Sequence, residues 1–365
     1  MADYMEQIVE LEKELSTTKY NKRTQGHIGL VKAKIAMLKE KERARSSGGA
    51  KGQGYSVRKT GDASVIMIGF PSSGKSTLLN TLTHANSPVA AYEFTTLDVI
   101  PGLLEHKYAK IQMLDVPGIV KGAAMGRGRG KEVLAVMQNA DLVLFIVDVF
   151  RAEALNVLKQ EVYDSNIRVN QRKPDVKIIK KARGGVSIGK TVYCPDLDNK
   201  TIEGICKEMR LNNVDIVIRT PINADQFIDV IEGTKHYLPG IIVLNKIDAV
   251  SVEDVDAVKA KIKPDICISA DKKINTDALK DLIFDRLNLI RIYCKQIGKK
   301  ADMDVPLIMK KGSTLKDMCE KLHKDFVQKF KYAKIWGTSV KFNAQPIQKL
   351  THVIQDKDVV ELHIK

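Results

Sequence analysis

The sequence predicts an α/β protein built on a mainly parallel β-sheet. A helical hairpin precedes the sheet, a subdomain is inserted within it, and a smaller strand-rich module follows it. Three observations carry this expectation. From residue 63 onward, short β-branched runs alternate with helical segments, the pattern of strands joined by crossover helices. The first of these runs leads through a glycine-rich turn directly into a helical pattern. The stretch from Asp148 to Pro239 is much longer than the roughly dozen to thirty residues that a crossover needs, so it must contain structure of its own.

Taken in order, residues 3–19 place Ile8, Leu11 and Leu15 at helical spacing, and residues 27–45 do the same with Leu30, Val31, Ile35 and Leu38. With Gly26 between them, these read as a basic helical hairpin. Ser46 to Gly54 offers almost no side-chain area to bury, and its glycines make ordering costly, so it reads as a linker that closes a first segment of residues 1–60. Strands are expected at Ala63–Ile68, Ala109–Leu114, Leu142–Val147, Ile241–Leu244 and Ile266–Ile268, which places the sheet domain in residues 61–167 and 236–289. The insertion occupies residues 168–235, opens with a basic run from Arg168 to Lys190 and includes Gly184 and Gly185. After Ile290, strands at Arg291–Lys295 and Val305–Met309, a helix at Thr314–Lys321 and strands at Lys334–Trp336 and Val359–Ile364 make a ββαβ-type module over residues 290–365. That module is close to the smallest size that holds itself together.

The composition excludes several classes. With 44% apolar and 28% charged residues among 365, the chain can bury cores and is neither disordered nor fibrous. No apolar run approaches the ~20 residues that cross a bilayer, and the start MADYMEQIVELEKEL has no signal-peptide core, so a cytoplasmic protein is expected. Cys194, Cys206, Cys267, Cys294 and Cys319 are scattered without metal-ligand spacing and read as reduced thiols. The formal charge of +15 is uneven: residues 1–60 carry +6, 168–190 carry +7, 291–365 carry +8 and the remainder −6. Three basic appendages on a mildly acidic middle point to a polyanionic partner.

The middle carries the chemistry. Gly69-Phe70-Pro71-Ser72-Ser73-Gly74-Lys75-Ser76 matches G-x-x-x-x-G-K-S between a strand and a helix opened by Thr77. Such a loop turns backbone N–H groups toward phosphate oxygens, Lys75 reaches the β- and γ-phosphates, and Ser76 can ligate magnesium. Asn245-Lys246-Ile247-Asp248 follows another expected strand, and an aspartate there accepts two hydrogen bonds from guanine N1–H and N2–H₂. Adenine lacks that donor pair, so this segment speaks against an ATPase of the same architecture. Asp115-Val116-Pro117-Gly118 ends a further strand: its carboxylate would hold magnesium, and the Gly118 N–H would sense the γ-phosphate. Phe94-Thr95-Thr96 supplies a candidate switch threonine pair, with Thr96 as the third magnesium ligand beside Ser76 and Asp115. Ser269-Ala270 would place a backbone amide on the base carbonyl. Lys75, Thr96 and Gly118 are the groups expected at the reacting phosphate.

Together, the P-loop, the F-T-T-L, D-V-P-G and N-K-I-D motifs and the glycine-rich run after D-V-P-G resemble the developmentally regulated GTP-binding protein family, in the Obg branch of the TRAFAC GTPases. The basic helical start, the insertion and the C-terminal module extend that resemblance over nearly the whole chain. It implies a P-loop GTPase domain binding GTP or GDP with Mg²⁺, an S5D2-like α+β insertion and a C-terminal TGS domain of β-grasp shape. It also implies association with ribosomes and translation, often through a stabilising protein partner.

Where Ras-like proteins have a water-orienting glutamine, this chain has Ile119, so slow intrinsic hydrolysis is expected. The missing group would come from a monovalent cation such as K⁺, from Arg127 or Arg129, or from a partner. Related potassium-using GTPases often have asparagine at the position of Ser72. Gly118, Gly122, Gly126, Gly128 and Gly130 give the loop after Asp115 unusual freedom. Aromatic residues are few; Tyr332 and Trp336 are candidates to stack bases, with a core role the better expectation for Trp336. Backbone contacts to ribosomal RNA are therefore expected over base-specific or DNA-specific reading, with no membrane partner. The alternative is a nucleotide-controlled RNA- or ribosome-binding scaffold with little hydrolysis, which the missing glutamine favours.

Overall fold

The computed structural model describes residues 4–19, 21–46, 61–83, 100–115, 137 and 139–364. The chain divides into two compact units, Tyr55–Ser165 with Leu238–Lys365 and Met1–Gly54 with Asn166–Tyr237.

The first unit is built on a six-stranded sheet of order β11-β10-β4-β1-β3-β2. Its strands are β1 (Ala63–Ile68), β2 (Ile100–His106), β3 (Ala109–Asp115), β4 (Leu142–Asp148), β10 (Gly240–Asn245) and β11 (Ile266–Cys267). All neighbours run parallel except β2, which is antiparallel to β3. Every residue of β1 and β4 is buried, which is why these strands read as unbroken apolar runs without alternation. Helices α3 (Lys75–Leu82), α4 (Ala154–Asp164), α7 (Val252–Ile262) and α8 (Thr276–Arg286) accompany the sheet. Strand β2 was not expected, because Ile-Pro-Gly-Leu-Leu-Glu-His interrupts its apolar residues with proline and glycine. It lies at the sheet edge, where proline is tolerated. Gly102 there lets α3 approach: a Cβ at this position would sit 2.6 Å from Thr83 Cγ2 and 2.7 Å from Leu79 Cδ1.

The same unit contains a five-stranded sheet of order β13-β12-β16-β14-β15, made by β12 (Leu289–Lys295), β13 (Leu307–Lys310), β14 (Phe330–Trp336), β15 (Gln345–Ile347) and β16 (Val359–Ile364). Helices α9 (Leu315–Leu322) and α10 (Phe326–Lys329) belong to it, and the reciprocal box between Thr314 and Asp317 starts α9. Its core includes Ile292, Met318, Ala333, Ile335 and Val360. Because Ala333 and Ile335 take the core side of β14, Tyr332 and Trp336 take the other side, and the expected core role of Trp336 is not met. Lys295 Nζ lies 4.8 Å from the Trp336 ring centroid, and Tyr332 stacks on His363 at 4.2 Å. Leu289 and Ile308 continue the core of the large sheet, while Lys310 pairs with Asp141 at 2.6 Å and Lys321 with Asp62 at 3.4 Å. Asp141 and Asp62 immediately precede β4 and β1, so the C-terminal module is fastened to the amino ends of the large sheet's central strands.

In the second unit, α1 (Tyr4–Thr17) and α2 (Gln25–Ser46) form a hairpin closed over Ile8, Val31, Ile35 and Leu38. Gly26, expected between the helices, lies inside α2. The reversal is made instead by Asn21, whose Oδ1 accepts from the Arg23 and Thr24 N–H groups, each at 2.9 Å. The helix glycines serve packing: a Cβ on Gly29 would come within 3.0 Å of Thr201 Cγ2, and one on Gly204 within 2.6 Å of Leu30 Cδ2. They let α2 lie against α5 (Asn199–Glu208).

Strands β6 (Val176–Lys180), β8 (Val214–Ile218) and β7 (Val186–Lys190) form a three-stranded sheet in that order, with β6 antiparallel and β7 parallel to β8. Ile178, Ile188 and Ile216 face a core shared with α5, α6 (Ala224–Glu232) and Ala33 of α2. The short strands β5 (Ile167–Val169) and β9 (His236–Leu238) pair at the base of this unit. There the buried Arg168 guanidinium donates from Nε and Nη2 to Asp229 at 2.6 and 2.7 Å.

Removing one partner of a buried ion pair costs far more than the pair itself contributes. Asp229→Ala is expected to destabilise this unit by about 3–5 kcal/mol, read as a fall in the urea unfolding midpoint. Lys39→Ala, which breaks a surface pair with Glu12, should change stability by less than about 1 kcal/mol.

Candidate functional site

The carboxyl ends of β1, β4 and β10 converge on the loop from Gly69 to Ser76, as open α/β sheets require of their ligand sites. Close packing selects glycine here. A Cβ on Gly69 would lie 2.5 Å from the Ile146 carbonyl and 2.7 Å from Ser73 Oγ. Gly74 has φ +91°, and a Cβ there would lie 2.3 Å from Asn245 Nδ2. Ser72 also takes a left-handed conformation, at φ 65°, and stores backbone strain in the loop.

Lys75 opens α3 and folds back over the loop, its Nζ donating to the Gly69 carbonyl at 2.9 Å and the Phe70 carbonyl at 3.1 Å. Burial pushes its ammonium below the ordinary lysine range, and Asp115 partly opposes that shift. Ser76 Oγ donates to Asp115 Oδ2 at 2.9 Å. Asp115 Oδ1 is buried and has no hydrogen-bond partner among the described residues. A buried, unpaired carboxylate oxygen beside a serine hydroxyl fits a hard, hydrated divalent cation such as Mg²⁺.

The second half of the site is tied to the first by Asn245, which is 1% exposed. Its Nδ2 donates to the Ser73 carbonyl at 3.0 Å, and its Oδ1 accepts from the Ala270 N–H at 3.0 Å. Lys246, at φ 64°, donates from Nζ to the Ser72 carbonyl at 2.6 Å. Ile247 joins a small core with Val149, Leu244 and Val255. That packing holds the turn while Asp248 stays exposed. The hydroxyl of the buried Ser269 hydrogen-bonds the Asp248 carboxylate and holds it below the ordinary aspartate range, against a smaller opposing effect of desolvation. Thr81 Oγ1 donates to the Ala270 carbonyl at 3.0 Å, joining α3 to the same corner.

The structure thus brings Gly69 through Thr77, Asp115, Asn245 through Asp248, Ser269 and Ala270 to one edge of the sheet. Ser269 supports Asp248 through its side chain, and the Ala270 amide engages Asn245. Phe94, Thr95, Thr96, Val116, Pro117 and Gly118 lie outside the described residues, as do Ile119, Arg127 and Arg129. Sequence reasoning missed the bridging work of Asn245. Its signal was the asparagine of the N-K-I-D segment itself, whose short amide reaches two backbones at once. It also missed the buried Asp148, which caps the turn after β4 by accepting from the Phe150 N–H at 3.1 Å.

Comparison with known proteins bears directly on this geometry. Residues 64–181 match the 50S ribosome-binding GTPase family, residues 183–289 the C-terminal region of that domain and residues 290–364 the TGS domain. The chain is 42% identical over 366 residues to developmentally regulated GTP-binding protein 1 of Xenopus laevis, covering 99% of each chain. It is 40% identical over 363 residues to developmentally regulated GTP-binding protein 2 of Homo sapiens, covering 98% of each. The chain belongs to the developmentally regulated GTP-binding protein family. It is also 50% identical over 364 residues to an uncharacterized GTP-binding protein of Methanocaldococcus jannaschii, covering 99% of this chain and 93% of the other. A solved GTP-binding protein of Pyrococcus horikoshii aligns with 83% of this chain and all of its own, at 16% identity and TM-score 0.45. As a member of the family, the protein binds GTP and GDP and hydrolyses GTP, with a P-loop GTPase domain and a C-terminal TGS domain.

Two substitutions test the geometry. Gly74→Ala forces a side chain onto a left-handed residue in contact with Asn245 and should weaken GDP binding at least about tenfold. Asn245→Ala removes both bridging hydrogen bonds and should weaken GTP and GDP alike. Fluorescent-nucleotide titration measures each, and wild-type affinity in both variants would count against the arrangement.

Proposed function

We propose that this developmentally regulated GTP-binding protein is a GTP-hydrolysing switch that acts on ribosomes, docked there through its basic, RNA-binding appendages. The observation that carries the reading is the Asn245 bridge, which joins a phosphate-gripping loop to a base-reading segment in one frame. Asp248 accepts from guanine N1–H and N2–H₂, and the Ser269 hydrogen bond lowers its carboxylate pKa further. Lys75 exchanges two carbonyl partners for the β- and γ-phosphates and stabilises the charge that collects on the bridging oxygen.

Water attacks the γ-phosphorus, the bond to the β,γ-bridging oxygen breaks, and GDP and phosphate leave with the proton from water. Ser76 and Asp115 are the described residues that would hold Mg²⁺, with Thr96 as a third ligand. The cation would neutralise the β- and γ-phosphate oxygens. Gly118 would sense the γ-phosphate through its N–H. With Ile119 at the water-orienting position, turnover is slow until K⁺, a switch arginine or a partner supplies the missing group. Exchange of potassium for sodium separates the first of these from the others.

The ribosomal reading rests on charge: three basic segments total more than the chain's whole net charge, and lysine and arginine contacts to phosphate dominate affinity for RNA. Sedimentation with ribosomes in GDP, in a non-hydrolysable GTP analogue and without nucleotide, across a salt series, is expected to show nucleotide-dependent association that weakens steeply with salt. Association indifferent to nucleotide would support the scaffold reading, and none at low salt would remove the ribosome from the proposal.

At the base end, Asp248→Ala should reduce the preference for guanosine over adenosine nucleotides by about 10–150-fold. The Ser269 hydrogen bond moves the carboxylate's pKa further down, away from the neutral range. Wild-type guanine selectivity should therefore be flat from about pH 7 to about pH 5 in nucleotide competition.

A further inference from the structure

The three-stranded sheet of the inserted unit has one face buried under helices and one face that no element of this unit covers among the described residues. Ile178, Ile216 and Ile188 form a cross-strand row on the buried face. The neighbouring rows, Lys177–Val217–Gly189 and Ile179–Asp215–Ser187, therefore belong to the other face. That face is flat and nearly bare: Gly189 has no side chain, Ser187 has a small one, and Ile179 is its one large exposed apolar residue, at 44%. No aromatic residue lies in either row.

Cations surround this surface along β6. Arg172 and Lys173 lie in the segment that leads into the strand, Lys177 stands on the open face, and Arg183 follows beyond its far end, whereas Lys180, level with the buried Val214, falls on the helix-covered side. Arg172, Lys173, Lys177 and Arg183 are all exposed, and none has an ionic or hydrogen-bonded partner among the described residues. The acidic groups nearby are already engaged, Asp175 by Arg219 at 3.5 Å and Asp215 by Lys181 at 2.6 Å. Gly184 and Gly185, at φ +106° and +69°, shape the loop that carries Arg183, with open space around Gly185. Four exposed cations along the strand and its flanks sum to a local positive potential, which an anionic polymer can meet at several points at once.

We propose that this open sheet face of the insertion, with Lys177 on it and Arg172, Lys173 and Arg183 beside it, is a docking surface for an RNA sugar–phosphate backbone. The proposal rests on the ribosomal reading above and deepens it by assigning the contact to one face among the three basic segments. Charge complementarity selects the occupant. A stable protein interface needs a core of large apolar or aromatic side chains, which this face lacks. A backbone needs only cations, hydroxyl donors such as Ser187 and a surface without protrusions, such as Gly189 supplies. Base stacking has no platform here, so binding should follow RNA shape and phosphate and be indifferent to sequence.

The test uses the full chain and a fluorescein-labelled RNA hairpin, with anisotropy followed across a salt series. A triple variant Lys173→Gln, Lys177→Gln, Arg183→Gln is compared with Lys299→Gln, Lys300→Gln, Lys331→Gln, which lowers the charge of the C-terminal module equally. The insertion triple should bind at least about tenfold more weakly at low salt, with the slope of log K against log salt reduced by about 2, while the C-terminal triple stays within about threefold of wild type. Unchanged GTP hydrolysis and unfolding midpoint confirm the fold, because none of the six residues lies in the nucleotide site. Equal loss in both triples would reduce the effect to net charge and overturn the proposal. Wild-type binding by the insertion triple would overturn it while leaving the ribosomal reading intact. A wild-type chain that binds anionic vesicles but not RNA would overturn both.

Discussion

The nucleotide site depends on one buried amide. Asn245 ends β10 and holds the Ser73 carbonyl with its nitrogen and the Ala270 N–H with its oxygen. The phosphate loop follows β1, and Ala270 follows β11, an edge strand three places away in the sheet. No backbone ladder could tie these turns together, because each lies beyond the carboxyl tips of its own strand. A side chain with a donor and an acceptor on one short stem does so, and its burial strengthens both bonds. The close approach this demands explains Gly74, since any side chain there would occupy the space of the amide nitrogen.

Asp115 imposes the complementary constraint. One of its oxygens is engaged by Ser76 and the other is buried without a partner among the described residues, an arrangement that costs stability in the isolated chain. Lys75 is in a similar position, partly desolvated and held by two carbonyls where a doubly charged phosphate would serve better. On the proposed reading, both groups are preorganised for charges that would arrive with the nucleotide, and folding energy would be converted into affinity in that way.

Much of this was legible in the sequence because the relevant signals are local. The fully buried strands β1 and β4 announce themselves as apolar runs, and the P-loop and N-K-I-D segments are contiguous strings whose chemistry is spelled out within a few residues. What escaped was non-local or composed of weak residues. Strand β2 is disguised by Pro101 and Gly102, which suit an edge and a close-packed helix but not a propensity scale. Gly26 looked like a turn because a helix glycine usually is one; its real neighbour is Thr201, far along the chain. Trp336 was expected inside, and only the strand register puts Ala333 and Ile335 there in its place. The short strand β15, Gln-Pro-Ile, has no sequence signature at all.

The attachment of the TGS domain has its own consequence. Leu289 and Ile308 share the core of the large sheet, and Lys310 and Lys321 grip acidic residues at the starts of β4 and β1, whereas GTP is handled where those strands finish. A close-packed strand is hardly compressible and passes strain along its length. The TGS domain is therefore packed as one body with the large sheet. A partner that gripped this arm would hold the amino ends of β1 and β4, one strand's length from the proposed nucleotide loops.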